Sequence, residues 1–227
     1  MRLDSLLHDK RSLLLKASGY SLLLFVSFLL EYNPIHWFYG YQIGLGAVFL
    51  IIVLLVYGLA GGLTAAAIVY GSLVLLDSVS WLQALSQAAY FVAVGLLLRK
   101  FPDKVIMLTF IYWILAGFPA TYYAYARETG FKDDLGYLFG LNAALGAFIS
   151  ALAADMILSH TPIRRWLASR GERTGYAFNR IVLHLTLVAT SLPFFIYILI
   201  SGYQERFKVL DQMTGNLNTQ VGVVDRE

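Results

Sequence analysis

The sequence has no cysteine and little charge: 14% of its 227 residues are Asp, Glu, Lys or Arg. Without thiols the chain forms no disulfide, thiolate metal site or thiol nucleophile, though this leaves its compartment open. The scarcity of charge says more, because soluble domains carry about 25% charged residues. It excludes an ordinary cytosolic enzyme, a disordered tail and a nucleic-acid-binding domain. Chemistry-bearing motifs are missing as well: there is no HExxH, Walker A or GxSxG pattern and no pair of histidines at metal-binding spacing. His8, His36, His160 and His184 stand singly. Gly44-Leu45-Gly46 has no strand before it, so a nucleotide-binding loop fails on context. The expectation is a non-enzyme with no catalytic residues, metal or cofactor. No cleavable signal peptide is evident, since the apolar run Leu22–Leu30 is followed by Glu31-Tyr32-Asn33-Pro34 rather than a small-residue cleavage site.

Hydrophobicity is what the chain has: 59% hydrophobic residues and a mean hydropathy of +0.67. A spanning helix needs about 20 apolar residues. Seven stretches qualify or nearly so: residues 12–30, 41–57, 63–76, 81–98, 105–125, 135–158 and 181–200. The second and third are parted by the turn-like Gly58-Leu59-Ala60-Gly61-Gly62. The predicted fold is all-α, a polytopic bundle over residues 1–201 followed by a helical stalk at 202–227.

Basic residues orient it, because short cytoplasmic loops collect Lys and Arg. With the N-terminus inside, the inner segments hold Arg2, Lys10, Arg11, Lys16, Arg99, Lys100, Lys104, Arg164, Arg165, Arg170, Arg173 and Arg180, twelve of the seventeen. Outer loops hold only Arg127 and Lys132. Tyr32, Trp37, Phe38, Tyr39, Trp81, Tyr122, Tyr123 and Tyr125 gather near the outer ends, at headgroup level. The expected topology is N-in, C-out, with a bacterial inner membrane as its setting and membrane lipid as a partner.

In the tail, Tyr203, Phe207, Leu210, Thr214, Leu217, Val221 and Val224 follow a heptad spacing, against which Gly215, Asn216, Asn218 and Gly222 are poor helix formers. The seam still runs at Glu227. This predicts the membrane-embedded N-terminal part of a longer protein, with fused or partner signalling domains.

Within the spans, Gly58, Gly62 and Ala66 are spaced by four, as are Gly140 and Ala144, and Ala147 and Ala151. Small residues at this spacing let helices approach closely where lipid offers no hydrophobic drive. They account for packing inside the bundle first, and for a homodimer through spans or stalk second. Their density places the sixth span at the bundle centre. Polar groups inside spans are rare enough to be candidate sites. Glu31, His36, Asp77, Gln83, Gln87 and Asn142 are candidates for a ligand pocket, the first three at its outer mouth. Asp155, Arg164, Arg165, Arg180 and His184 form a candidate polar cluster at the cytoplasmic end, with Asp155 pairing across the loop.

The run Tyr57-Gly-Leu-Ala-Gly-Gly-Leu-Thr-Ala-Ala66, the exit Leu98-Arg-Lys100 and the run Leu141–Asp155 resemble bacterial multi-span sensory regions of the MASE and LytS types. These stand at the N-termini of sensor histidine kinases and diguanylate cyclases. The resemblance covers residues 41–165 and implies a sensory or anchoring module that relays a stimulus by helix rearrangement, as in a two-component system. The alternative is a small-solute binding and transport subunit, similar to the substrate-capture components of vitamin importers. A structural subunit of a membrane complex is a third reading. The near absence of ionisable groups deep in the spans weighs against ion-coupled transport and catalysis.

Overall fold

The computed structural model describes residues 2–36, 42–129 and 134–161, with scattered helical positions between 182 and 200. The helices are α1 (Arg2–Tyr32), α2 (Gly46–Leu75), α3 (Trp81–Lys100), α4 (Val105–Tyr112), α5 (Phe118–Thr129) and α6 (Asp134–His160), with a π-helical turn, Trp113–Gly117, joining α4 to α5. Two-residue segments β1 (Ile35–His36) and β2 (Gln42–Ile43) pair ahead of α2. The chain divides into two compact units, Met1–Ile35 with Gln42–Gly175 and His36–Tyr41 with Tyr176–Glu227. Among the described residues, five segments are long and apolar enough to cross a membrane: Leu13–Tyr32, Gly46–Leu75, Trp81–Lys100, Val105–Arg127 and Gly140–His160. The chain is thus an all-helical protein of multi-pass membrane character. The expected stalk at 202–227 lies outside the described residues.

The second of these segments is not a straight rod. The expected five-residue turn over Gly58–Gly62 is narrower than the sequence indicates, because helical geometry fails at Gly58 alone, which adopts φ 79° and ψ −174°. That region of backbone space is essentially reserved for glycine. The break folds α2 back on itself. A Cβ placed on Gly62 would stand 2.9 Å from the Cα of Leu54, although residues 54 and 62 of a straight helix are about 12 Å apart. α2 is therefore two arms, 46–57 and 59–75, running in opposite directions.

Contacts between neighbours give the direction of every other helix. α1 runs antiparallel to the first arm: Ser27 Oγ donates to the Gly46 carbonyl at one end, and the Tyr57 hydroxyl to the Lys16 carbonyl at the other. It runs parallel to the second arm, where the Tyr20 hydroxyl meets the Gly61 carbonyl and Thr64 Oγ1 at 3.1 and 2.8 Å. α3 returns along the second arm, with Gly95 against Leu59 and Phe91 beside Tyr70. α4 reverses again through the Tyr90–Thr109 hydroxyl pair, and α6 reverses once more, with Phe148 beside Phe110 and Tyr137 beside Tyr122. The alternation brings Lys16, the Gly58 fold, and Arg99, Lys100 and Lys104 to one end. Glu31, the Asp77 turn and Arg127 come to the other.

The centre of this unit is the first arm of α2. Leu50, Ile51, Ile52, Val53 and Leu54 are consecutive and all buried, so the arm is enclosed on every face. The sixth span, expected at the centre for its small residues, is enclosed along part of its length: Ser150, Ala151, Leu152, Ala154 and Asp155 are buried, whereas in its first half Gly140 and Ala147 are buried and Leu141 and Tyr137 are exposed. Small residues let a helix pack closely on its neighbours. Leu13, Leu14, Leu22 and Phe25 of α1 and Leu75, Leu85, Ile114 and Leu115 elsewhere are exposed, as lipid-facing positions are.

Candidate functional site

At about 18 Å the first arm of α2 is shorter than the hydrocarbon core of a bilayer, and its N-terminal amides need partners that lipid cannot give. Leu45, at the N-cap, provides no side-chain bond. Glu31 of α1 provides it instead, with the Ala47 amide donating to Oε1 at 2.8 Å. The approach depends on two glycines: a Cβ on Gly44 would collide with the Glu31 carboxylate, and one on Gly46 with the Ser27 carbonyl. Glu31, expected at the mouth of a pocket, is thus a cap supplied from a neighbouring helix.

The other expected pocket residues do not converge on it. Asp77 is exposed at the α2–α3 turn with φ 53°. Gln83 is exposed in the first turn of α3, its backbone N–H donating to Oγ of Ser80, the N-cap residue of that helix. Gln87 and Asn142 are partly buried, and Asn142 engages a neighbouring group. His36 lies on β1. Asp155 is 6% exposed and likewise engages a neighbour, but the partners expected for it, Arg164, Arg165, Arg180 and His184, lie outside the described residues. Among the small residues, Gly140 backs directly onto Phe118, and Ala66, Ala147 and Ala151 are buried, with Ala144 partly so. Gly62 lets the two arms of α2 touch, whereas Gly58 has nothing within 4 Å of its Cβ position. Its role is backbone conformation, not close packing.

The densest polar-aromatic arrangement lies elsewhere, between α3 and α4. Tyr90 is buried with its hydroxyl 2.9 Å from Thr109 Oγ1, itself buried. Around it stand Phe91 at 5.0 Å, Tyr112 at 5.5 Å and Trp113 at 6.2 Å between ring centroids. Tyr112 donates to the Ser86 carbonyl at 3.3 Å. Two buried polar atoms in this cluster have no partner among the described residues, Trp113 Nε1 and Ser86 Oγ. Buried polar groups are nearly always paired, so an exception calls for an explanation.

The local backbone explains how the indole is held. Pro119 has no amide hydrogen and its ring crowds the carbonyl four residues back, here Leu115. The helix absorbs this by widening over Trp113–Gly117, where the Phe118 amide reaches the Trp113 carbonyl five residues earlier. Gly117 then leaves room for the Trp113 ring, which would lie 2.5 Å from a Cβ at that position. π-Turns of this kind are frequent at functional sites. Sequence reading passed over Ser86, Tyr90, Thr109 and Trp113 because each is unremarkable alone. The available signal was Gly117 and Pro119 inside an otherwise uninterrupted apolar stretch.

No protein family, curated protein or solved structure matches this chain.

Proposed function

We propose that this chain is a membrane-embedded sensory module whose responsive element is the aromatic cluster at the π-turn. The observation that carries the reading is the juxtaposition of a π-helical register, Trp113–Gly117, with two buried polar atoms that have no partner among the described residues, Trp113 Nε1 at its start and Ser86 Oγ on the adjoining α3. A π-turn holds one residue more than an α-turn, so returning to α-helical register shifts the helix on one side of it by a residue. Such an element has two discrete arrangements, which is what a stimulus needs in order to act through differential affinity. The orientation that fits is N-in. The alternating helices bring Lys16, Arg99, Lys100 and Lys104 to one end, against Arg127 at the other, and a cytoplasmic face collects basic residues. A cell membrane of bacterial type and output domains beyond the bundle belong to the same proposal.

The chain has no cysteine, so spin labels can be placed without background. Leu85→Cys on α3 and Leu115→Cys in the π-turn are exposed positions. Distances between labels there, measured by double electron–electron resonance in nanodiscs, should show two populations whose ratio changes with bilayer thickness or added ligand. A single narrow distance under every condition would sink the sensory reading and leave a rigid structural subunit in its place.

A further inference from the structure

We infer that the α3–α4 seam at Ser86, Tyr112 and Trp113 is a binding site for a neutral, planar, membrane-soluble carbonyl compound of the quinone type. This rests on the sensory reading and names the stimulus for it. The Trp113 indole is 2% exposed and fixed in place by Gly117 beneath it, by Tyr112 nearly perpendicular to it at 5.9 Å, and by Tyr90. A ring so held cannot turn to find another acceptor, so its N–H is a preorganised donor. Ser86 departs from the habit of helical hydroxyls, which bond back to a carbonyl three or four residues earlier. Ser72 does so to Ile68 at 2.7 Å and Thr64 to Ala60 at 3.0 Å, whereas Ser86 Oγ has no partner among the described residues. The two unspent groups belong to one cluster, because Ser86 is one turn from Tyr90 on α3 and its carbonyl holds Tyr112.

The chemistry of the guest follows. An indole N–H only donates, so the guest must present an acceptor. The flanking rings favour a flat, unsaturated partner through offset or edge contacts. No charged side chain is among Ser86, Tyr90, Phe91, Thr109, Tyr112 and Trp113, so an ionised guest would be left unpaired in a low dielectric. A carbonyl on a planar ring meets all three conditions. Access is from lipid: Ile111, Ile114 and Leu115 beside Tyr112 are exposed, and Tyr112 is only partly buried. Its hydroxyl reaches Ser86 at 3.3 Å, longer than an ordinary O–H···O bond, and so forms a weak latch.

Menadione and 2-methylnaphthalene test this directly, since they share a ring system and differ in the two carbonyls. The absence of cysteine removes thiol addition to menadione as a complication. Equilibrium binding to the full chain in nanodiscs should favour menadione about tenfold, the worth of one or two buried hydrogen bonds. Trp113→Phe keeps a ring and removes the donor; with Ser86→Ala, each should weaken menadione roughly three- to tenfold and leave 2-methylnaphthalene unchanged. Equal affinity of the two probes for the wild-type chain overturns the inference, and that comparison needs no variant to fold. Menadione binding indifferent to both substitutions overturns it equally. Failure of the sensory reading is distinguishable: menadione would bind with the predicted discrimination while the Leu85–Leu115 label distance stayed fixed.

Discussion

Replacing Gly58 by alanine isolates the backbone term that folds α2. A Cβ at Gly58 meets nothing within 4 Å, so the substitution neither clashes nor gains packing. What it changes is conformation: φ 79° and ψ −174° lie where a non-glycine residue is strained by about 1–3 kcal/mol. Gly71 is the matched control, because it too has open space at its Cβ position but lies within the second arm at ordinary helical geometry. Alanine there gains about 0.5–1 kcal/mol of helix propensity. The same chemical change at the two sites should therefore differ by about 1.5–4 kcal/mol in opposite directions. Reversible unfolding in mixed micelles, titrated with dodecyl sulfate, measures both. Beyond the stability loss, straightening at residue 58 would separate Tyr20 from the Gly61 carbonyl and Thr64, so Tyr20→Phe should lose its effect in the Gly58→Ala background. If Gly58→Ala proves as stable as Gly71→Ala, the reversal does not depend on glycine and the account of α2 is wrong.

Glu31→Ala should cost about 1–3 kcal/mol by leaving the part-buried Ala47 amide unpaired, while Glu31→Gln, which keeps an acceptor, should cost less than half as much in the same titration. Leucine at Ala151, which is fully buried, should overpack α6 by about 1–3 kcal/mol, whereas leucine at the open Gly146 should be tolerated; equal effects would remove the close packing at Ala151. Pro119→Ala restores an amide hydrogen and should convert the π-turn to α-helix, seen as a changed near-ultraviolet signal from Trp113; an unchanged spectrum and label distance would show that Pro119 does not set the register. For orientation, Ser78→Cys in intact cells should react with an impermeant maleimide and Pro102→Cys only after permeabilisation, and the reverse pattern would invert the N-in proposal.

Some of this was legible in the sequence and some was not. Trp81–Lys100 and Gly140–His160 follow closely from predominantly apolar stretches, since a backbone in lipid must satisfy its own hydrogen bonds and a helix does so locally. Glu31 is different: its identity marked it as unusual, but only the approach of α1 to Gly44 and Gly46 shows that it caps another helix. The Ser86–Trp113 cluster is assembled from two helices, and no spacing within either one announces it.

The shortage of charge and the absence of cysteine determined the solvent and the secondary structure, and excluded thiol chemistry. Those are properties of composition and carry through any arrangement of the chain. The sequence also marked Gly58–Gly62 as special, but it could not say whether glycine there served a loop, a close contact or a strained dihedral. Tertiary structure decided that Gly58 is a single-residue reversal, that residues 50–54 form the enclosed centre, and that Lys16 shares an end with Arg99, Lys100 and Lys104. The reason is that a positive φ is paid for by contacts distant in sequence, here those of Leu54 with Gly62 and Tyr20 with Thr64, and these exist only once the helices have come together.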